Sequence, residues 1–391
     1  MKFQNLLRFK TKKMYLKELQ LYNFKNLASA EFEFSSRVNC FIGDNAAGKT
    51  NILDAIYYLS FCKSYFNSID SQNIMHSEAF FSVMGKYDVN KTKTDTIQCV
   101  QKRNQKKSFK LNKKEYDRLS DHIGLYPLVM ISPYDRDLIN EGSDVRRRFI
   151  DSVISQFDRI YLDNLINYNK VLMQRNALLK AFAERKYFDR ESLDIWDSQL
   201  ADLAGRIFPV RQQFLTDYIP VFNRYFEAIS GGKETVDITY ESQLHNHKMD
   251  ELLATSLDKD KILKYTTVGV HKDDLTFNIM GHPVKKFGSQ GQQKSFIIAL
   301  RLAQYEYILK LKGYKPILLL DDIFDKLDDS RVEQLIQLSS EDNFGQVFIT
   351  DTQRERVELM LEKVNADHKI YKVSNGEVAE VKSKFNGDNG I

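Results

Sequence analysis

A chain of 391 residues that is 42% hydrophobic and 28% charged has room for two or three domains, and its composition excludes a disordered polymer. A formal net charge of +4 is too mild to demand a nucleic-acid partner by itself, so such a surface has to come from local clustering. No apolar run approaches the ~18 residues of a membrane span, and the basic stretch 1–13 lacks the apolar core of a secretory signal, so a cytoplasmic protein without a membrane partner is expected. Cys40, Cys62 and Cys99 have no metal-ligand spacing and read as reduced packing residues.

Met14 is a second candidate start, and 1–13 reads either as a basic extension or as sequence upstream of the true start. Tyr15, Leu16, Leu19 and Leu21 predict a strand, and Ala28–Phe34 predicts its hairpin partner. Val38–Ile42 reads as a short buried strand, and Asn51–Leu59 as a helix. Between them lies Gly43-Asp44-Asn45-Ala46-Ala47-Gly48-Lys49-Thr50, the G-x-x-x-x-G-K-[ST] pattern. Glycines let backbone N–H groups curl around phosphate oxygens, and the helix start adds its positive dipole end. Lys49 would reach the β- and γ-phosphates of ATP, and the Thr50 hydroxyl would ligate Mg²⁺. The competing account is a glycine-rich turn between a core strand and a core helix. The flanking strand and helix favour the phosphate loop.

Phe80–Tyr87, Thr94–Val100 and Ser108–Leu111 predict an antiparallel sheet, with Lys102, Arg103, Lys106, Lys107, Lys110, Lys113 and Lys114 gathered beside it. That run fits either a phosphate-backbone contact or a solvated hairpin face. Tyr126–Ile131 predicts another strand, closed by Pro133. From Asp144 to Ala183 the apolar spacing is helical and opens on Arg146-Arg147-Arg148. Leu193–Ile229 continues it, broken by Pro209 and Pro220. Val236–Tyr240 is a short strand and Lys248–Lys264 a polar helix. Strands at Tyr265–Gly269 and Leu275–Met280, a helix at Gln292–Leu311, a buried strand at Ile317–Leu320, a helix around Arg331–Leu338 and a strand at Gln346–Thr350 follow. The tail Ser383–Ile391 reads as frayed. Alternation of strand and helix implies an α/β class with a largely parallel sheet. The expected plan is an ATPase head from 14–137 and 265–391 around an inserted compact helical arm at 138–264, after an N-terminal extension at 1–13.

Ile317–Leu320 ends in Asp321-Asp322, the Walker B form, in which Asp321 would hold the Mg²⁺ shell and Asp322 would orient or deprotonate the attacking water. Gly288-Ser289-Gln290-Gly291-Gln292-Gln293 opens the next upstream helix and offers a second anion site at a helix start. Its S-x-G-Q core matches the signature of ATP-binding-cassette (ABC) ATPases.

With these motifs go Leu21-Tyr22-Asn23-Phe24-Lys25-Asn26, Pro133 with Asp137-Leu138, Gly142 with Arg146–Asp151, Gln174-Arg175-Asn176, Gly269-Val270-His271-Lys272-Asp273-Asp274-Leu275, Leu327-Asp328 and Phe348-Ile349-Thr350. Together they resemble the RecF family of bacterial recombination-repair ATPases, relatives of the structural-maintenance-of-chromosomes proteins, from Met14 to about Val373. The triple-arginine and His-Lys-Asp-Asp stretches are the narrowest part of the match. Val270 and Lys272 replace the usual proline and arginine, Asp325-Lys326 the usual Ser-Glu, and Asp351 a histidine. No glutamine follows the Tyr126–Ile131 strand.

The resemblance implies a head that forms a homodimer on binding ATP, with Ser289, Gly291 and Gln292 of one copy facing the Walker residues of the other, and Thr350 near the γ-phosphate. It implies DNA at single-strand gaps or single/double-strand junctions, RecO and RecR as partners, recombinase loading, and slow ATP hydrolysis. The competing functions are an ABC-type ATPase subunit of a transporter or other partner, and a structural DNA-binding protein that ATP merely stabilises. Lys102, Arg103, Lys106, Lys107 and Lys110 are the candidate DNA contacts, with Arg146-Arg147-Arg148 as the rival cluster.

Overall fold

A computed structural model describes residues 13–90, 92–323, 344–364 and 366–381. The expected helix at Arg331–Leu338, the Asp325-Lys326 and Leu327-Asp328 pairs, the tail at Ser383–Ile391 and all but the last residue of the 1–13 extension lie outside them. The chain divides into two compact units, one drawn from 1–135 and 300–391 and the other from 136–299.

In the first unit, β1 (Met14–Phe24), β2 (Leu27–Glu33), β4 (Phe80–Val89), β5 (Lys93–Lys102), β6 (Ser108–Leu111) and β7 (Lys114–Glu115) make an antiparallel sheet in the order β2-β1-β4-β5-β6-β7. A second sheet has the order β15-β14-β3-β13-β12-β8. Its strands are β3 (Val38–Ile42), β8 (Leu128–Ile131), β12 (Ile317–Asp321), β13 (Val347–Asp351), β14 (His368–Ser374) and β15 (Glu377–Val381). All its pairings are parallel except that of β14 with the edge strand β15.

Every residue of β3, β8, β12 and β13 is buried, the run expected of parallel strands covered on both faces. Helix α1 (Lys49–Phe61) packs against strands of both sheets, and eleven of its thirteen residues are buried. A helix enclosed in this way needs apolar residues all round, not an amphipathic stripe, and Ile52-Leu53 with Ala55 through Leu59 supplies them. Phe32, Phe34, Phe41, Phe348 and Tyr371 interlock within the core, with Phe34 edge-on to Phe348 at 4.8 Å.

In the second unit the helical stretch expected from Asp144 is two helices, α3 (Ser143–Ile154) and α4 (Arg159–Arg185). The Asp158 side chain starts the second by accepting the Tyr161 N–H at 2.8 Å. The next helix, α5 (Arg190–Ser230), runs unbroken through Pro209 and Pro220, contrary to the expected breaks. Both prolines and the residues four before them, Gly205 and Thr216, lie on the exposed face, where water can serve the orphaned carbonyls. On the opposite face Leu200, Ala204, Ile207, Phe214, Tyr218 and Phe222 are buried. At ~1.5–3 kcal/mol for each large apolar side chain, that burial outweighs ~3 kcal/mol per proline.

The second unit continues past 264, where the arm was expected to end, because β9 (Val236–Glu241) pairs with β10 (Asp274–Ile279), opposing Ile238 to Phe277. The strand expected at Tyr265–Gly269 is a loop following helix α6 (Met249–Leu263). Side chains take its amides: Thr266 N donates to Asn176 Oδ1 and Thr267 N to Asp260 Oδ1. Helix α8 (Gln290–Lys312) contains the division between the units, at Leu300; α2 (Asp137–Asn140) and α7 (Val284–Phe287) are single turns, and α9 (Arg354–Val364) follows β13.

Candidate nucleotide site

Strand β3 delivers the loop Gly43–Gly48 to the start of α1. A Cβ at Gly43 would meet the Val373 carbonyl oxygen at 2.1 Å, so only glycine lets the loop leave the sheet against β14. Ala46 at φ 64° and Gly48 at φ 121° put two positive-φ residues in the loop, the kind of backbone from which anion-binding concavities are built. Lys49 is 7% exposed, and its Nζ donates to the carbonyls of Gly43 (2.7 Å) and Asp44 (2.8 Å), closing the loop on itself. Burial holds its ammonium below the ordinary lysine pKa, against the pull of Asp322, Asp321, Asp351 and Asp44.

At the ends of β12 and β13 three side chains share one oxygen. Thr50 Oγ1 donates to Asp321 Oδ1 at 2.8 Å, and Thr350 Oγ1 donates to the same atom at 2.9 Å. The Asp322 N–H in turn donates to Thr350 Oγ1 at 2.9 Å, with Asp322 itself in a left-handed conformation at φ 47°. Burial raises the Asp321 carboxyl above its usual pKa, opposed by the two threonine hydroxyls. A cavity of about 150 Å³ opens here, lined by Asn45, Ala46, Gly48, Lys49, Thr50, Asn51, Asp322 and Thr350. The donor set fits a magnesium-bound triphosphate: hard oxygens from Thr50 and Asp321 stand side by side, at a helix start that follows the glycine loop.

The structure thus brings together Thr50, Asp321, Asp322 and Thr350, which lie far apart in sequence. Thr350 had only resemblance behind its assignment, yet its hydroxyl bridges both aspartates. Ser289, Gly291 and Gln292 belong to the second unit and do not line this cavity. There Ser289 and Gln292 cap α8 reciprocally. Gln292 N donates to Ser289 Oγ at 3.2 Å, Ser289 N donates to Gln292 Oε1 at 2.7 Å, and Gln292 Nε2 reaches Glu234 at 2.8 Å. Residues missed as part of the site are Asn26, which had no role assigned, and Asn51. No periodicity marks a polar residue whose partner is a loop carbonyl.

The basic run divides. Lys102, Arg103 and Lys106 are exposed, whereas the Lys107 ammonium is turned inward onto Tyr58 OH (2.9 Å), the Cys62 carbonyl (2.5 Å) and Asp70 (2.6 Å). Lys107 is therefore removed from the candidate DNA contacts: it is a core cation between α1 and β6. In the rival cluster, Arg146 grips Asp274 with two bonds (2.7 and 3.0 Å) and Arg147 donates to the Asp273 carbonyl at 2.6 Å. Arg148 remains exposed beside Asp144. The two narrowest motifs of the sequence are thus halves of one internal contact.

A glycine loop between a central parallel strand and a buried helix, opposite a strand ending in paired aspartates, defines a P-loop nucleotide-binding head. The RecF/RecN/SMC N terminal domain family matches residues 15–379. The chain is 52% identical over 362 residues to the DNA replication and repair protein RecF of Flavobacterium johnsoniae, covering 93% of this chain and all (100%) of that protein. It is 50% identical over 370 residues to the protein of the same description from Phocaeicola vulgatus, covering 94% and 99%. A solved structure of the recombination mediator protein RecF-ATP in the RecFOR pathway superposes with a TM-score of 0.86 at 31% identity, covering 96% of this chain and 100% of that one. The Smc head domain of Pyrococcus furiosus shares the fold at a TM-score of 0.55 and 18% identity. The chain belongs to the RecF family, whose heads have the ABC-type ATPase fold. Among the described residues no helix is long and apolar enough to cross a membrane.

Proposed function

We propose that this chain is an ATP-dependent DNA-binding protein of replication and recombinational repair. ATP would be held by Gly43–Thr50, with Thr50 and Asp321 taking Mg²⁺, which when bound neutralises phosphate charge. Asp322 accepts a proton from the water that cleaves ATP to ADP and phosphate, slowly. Two copies associate when ATP is bound, Ser289, Gly291 and Gln292 of one completing the site of the other, and the pair closes on DNA at gaps or junctions, working with RecO and RecR. The observation that carries this reading is the convergence of Thr50 and Thr350 on Asp321 beside the phosphate loop. Related proteins are named for the RecFOR pathway and for ATP, which supports the same partners here.

The test is ATP turnover with and without gapped duplex. Parent turnover should rise severalfold with DNA, and an unchanged rate rejects the coupling. Asp322→Asn should keep ATP affinity and lose ~100-fold or more in turnover, the usual worth of a general base. With ATP present that variant should sediment as a dimer; a monomer rejects the assembly.

For DNA contact the exposed cations Lys102, Arg103 and Lys106 are the residues to change, with Lys107 left intact. Converting the three to glutamine should weaken DNA binding for all sequences and flatten its dependence on log salt by about 0.9 for each phosphate that is no longer neutralised. An unchanged slope would make the run a solvated hairpin.

A further inference from the structure

Asn26 lies in the turn between β1 and β2, outside every nucleotide motif, yet its side-chain amide is committed to the phosphate loop. Its Nδ2 donates to the Ala47 carbonyl at 3.2 Å, and its Oδ1 accepts from Asn51 Nδ2 at 2.7 Å. The reverse amide orientation would set two acceptors face to face at Ala47. The same carbonyl accepts a second bond, 3.0 Å from the backbone N–H of Gly376 in the β14–β15 turn. The two braces also touch each other. A Cβ on Gly376, at φ +81°, would stand 2.3 Å from the Asn26 carbonyl oxygen, so the turn closes on Asn26 only as glycine. The neighbouring Lys25 fixes the hairpin turn to α1 through Asp54, at 2.6 Å.

Both lone pairs of the Ala47 carbonyl are therefore used by segments remote in sequence. Because a trans peptide is planar, fixing that carbonyl fixes the Gly48 N–H, which points the opposite way from it. Gly48 lines the nucleotide cavity. We infer that Asn26 and Gly376 form a two-sided brace that aims the Gly48 N–H at the phosphate, and that Asn26 also sets the Asn51 side chain on the cavity wall. Both are positioning residues: they act through the loop and touch no substrate. The inference rests on the loop being the ATP site.

Asn26→Asp keeps the shape but exchanges the donor at Ala47 for a second acceptor. Gly376→Ala crowds the brace from behind. Each should raise KM for ATP about 10-fold, the equivalent of about 1.4 kcal/mol, with kcat within about 2-fold of the parent. The urea midpoint of Asn26→Asp without nucleotide should stay that of the parent, whereas Gly376→Ala, at positive φ and against a backbone carbonyl, should lower it. In the double variant the rise should remain near 10-fold and not multiply to ~100-fold, since both changes act on one carbonyl. An unchanged KM in Asn26→Asp, a KM rise in Asn26→Asp that tracks a fallen urea midpoint, or a multiplicative double variant each overturns the brace. A parent that binds no ATP overturns the nucleotide reading and the brace with it, whereas a parent that binds beside an unaffected variant overturns the brace alone.

Discussion

Replacing Lys49 by alanine should lower ATP affinity by ~100-fold or more, measured by calorimetric titration with ATP. Two losses add. The variant removes a buried cation from the phosphate loop, and truncating one partner of such a charge-assisted contact costs about 2–5 kcal/mol. It also removes the bonds from Nζ to the Gly43 and Asp44 carbonyls, which hold the loop curved. Lys49→Arg should not restore binding, because a planar fork cannot replace a compact ammonium between the carbonyls of two consecutive residues. An alanine variant within about 3-fold of the parent's affinity would remove Gly43–Thr50 as the phosphate site.

The largest stability effect should come from Arg211, 2% exposed in the second unit. Its guanidinium donates to Asp273 (2.7 Å) and the Val270 carbonyl (2.7 Å), to Tyr161 OH (2.9 Å) and to Asp151 (2.9 Å). One side chain on α5 thus ties α3, α4 and the loop before β10. Arg211→Ala leaves two carboxylates near each other without their cation, and breaking a buried ion pair from one side costs about 3–5 kcal/mol. Urea unfolding followed by circular dichroism should register that loss. Arg211→Met combined with Asp151→Asn and Asp273→Asn should lose less than Arg211→Ala alone, because no charge is left uncompensated. If the triple variant is the less stable, the attraction in the native cluster exceeds its desolvation cost.

What could be read in advance follows the physics that acts locally. The phosphate loop, Val38–Ile42, the paired aspartates after Ile317–Leu320 and the hairpin at the start are fixed by residue types at set spacings, and they stand where the sequence places them. The helix through Pro209 and Pro220 was illegible, since the side chains that outweigh the prolines are recognisable as a buried face only once their partners are known. The loop at Tyr265–Gly269 has strand-like residues but finds Asn176 and Asp260 before it finds a strand. Lys107 shows the same limit for charge. A lysine in a basic run looks solvated until Asp70 and the Cys62 carbonyl come round to it. Within the candidate site the glycine loop and the paired aspartates were legible, and Asn26, hydrogen-bonded behind the loop, was not.

The position of β3 in its sheet also governs the order in which a growing chain can become functional. Val38 pairs with Val347 on one side and with His368 on the other, so the strand that carries the phosphate loop is made early and finds both neighbours late. At ~5–20 residues per second, the roughly 300 residues between them take at least ~15 s to synthesise. Throughout that interval Val38–Ile42 has two unpaired edges and an apolar surface, and it depends on the hairpin and α1 for cover. Residues 136–299, by contrast, hold all their own strand pairings and are complete before β13 exists. A ribosome therefore delivers the second unit first, and the candidate nucleotide site only once Asp322 and Thr350 have been made.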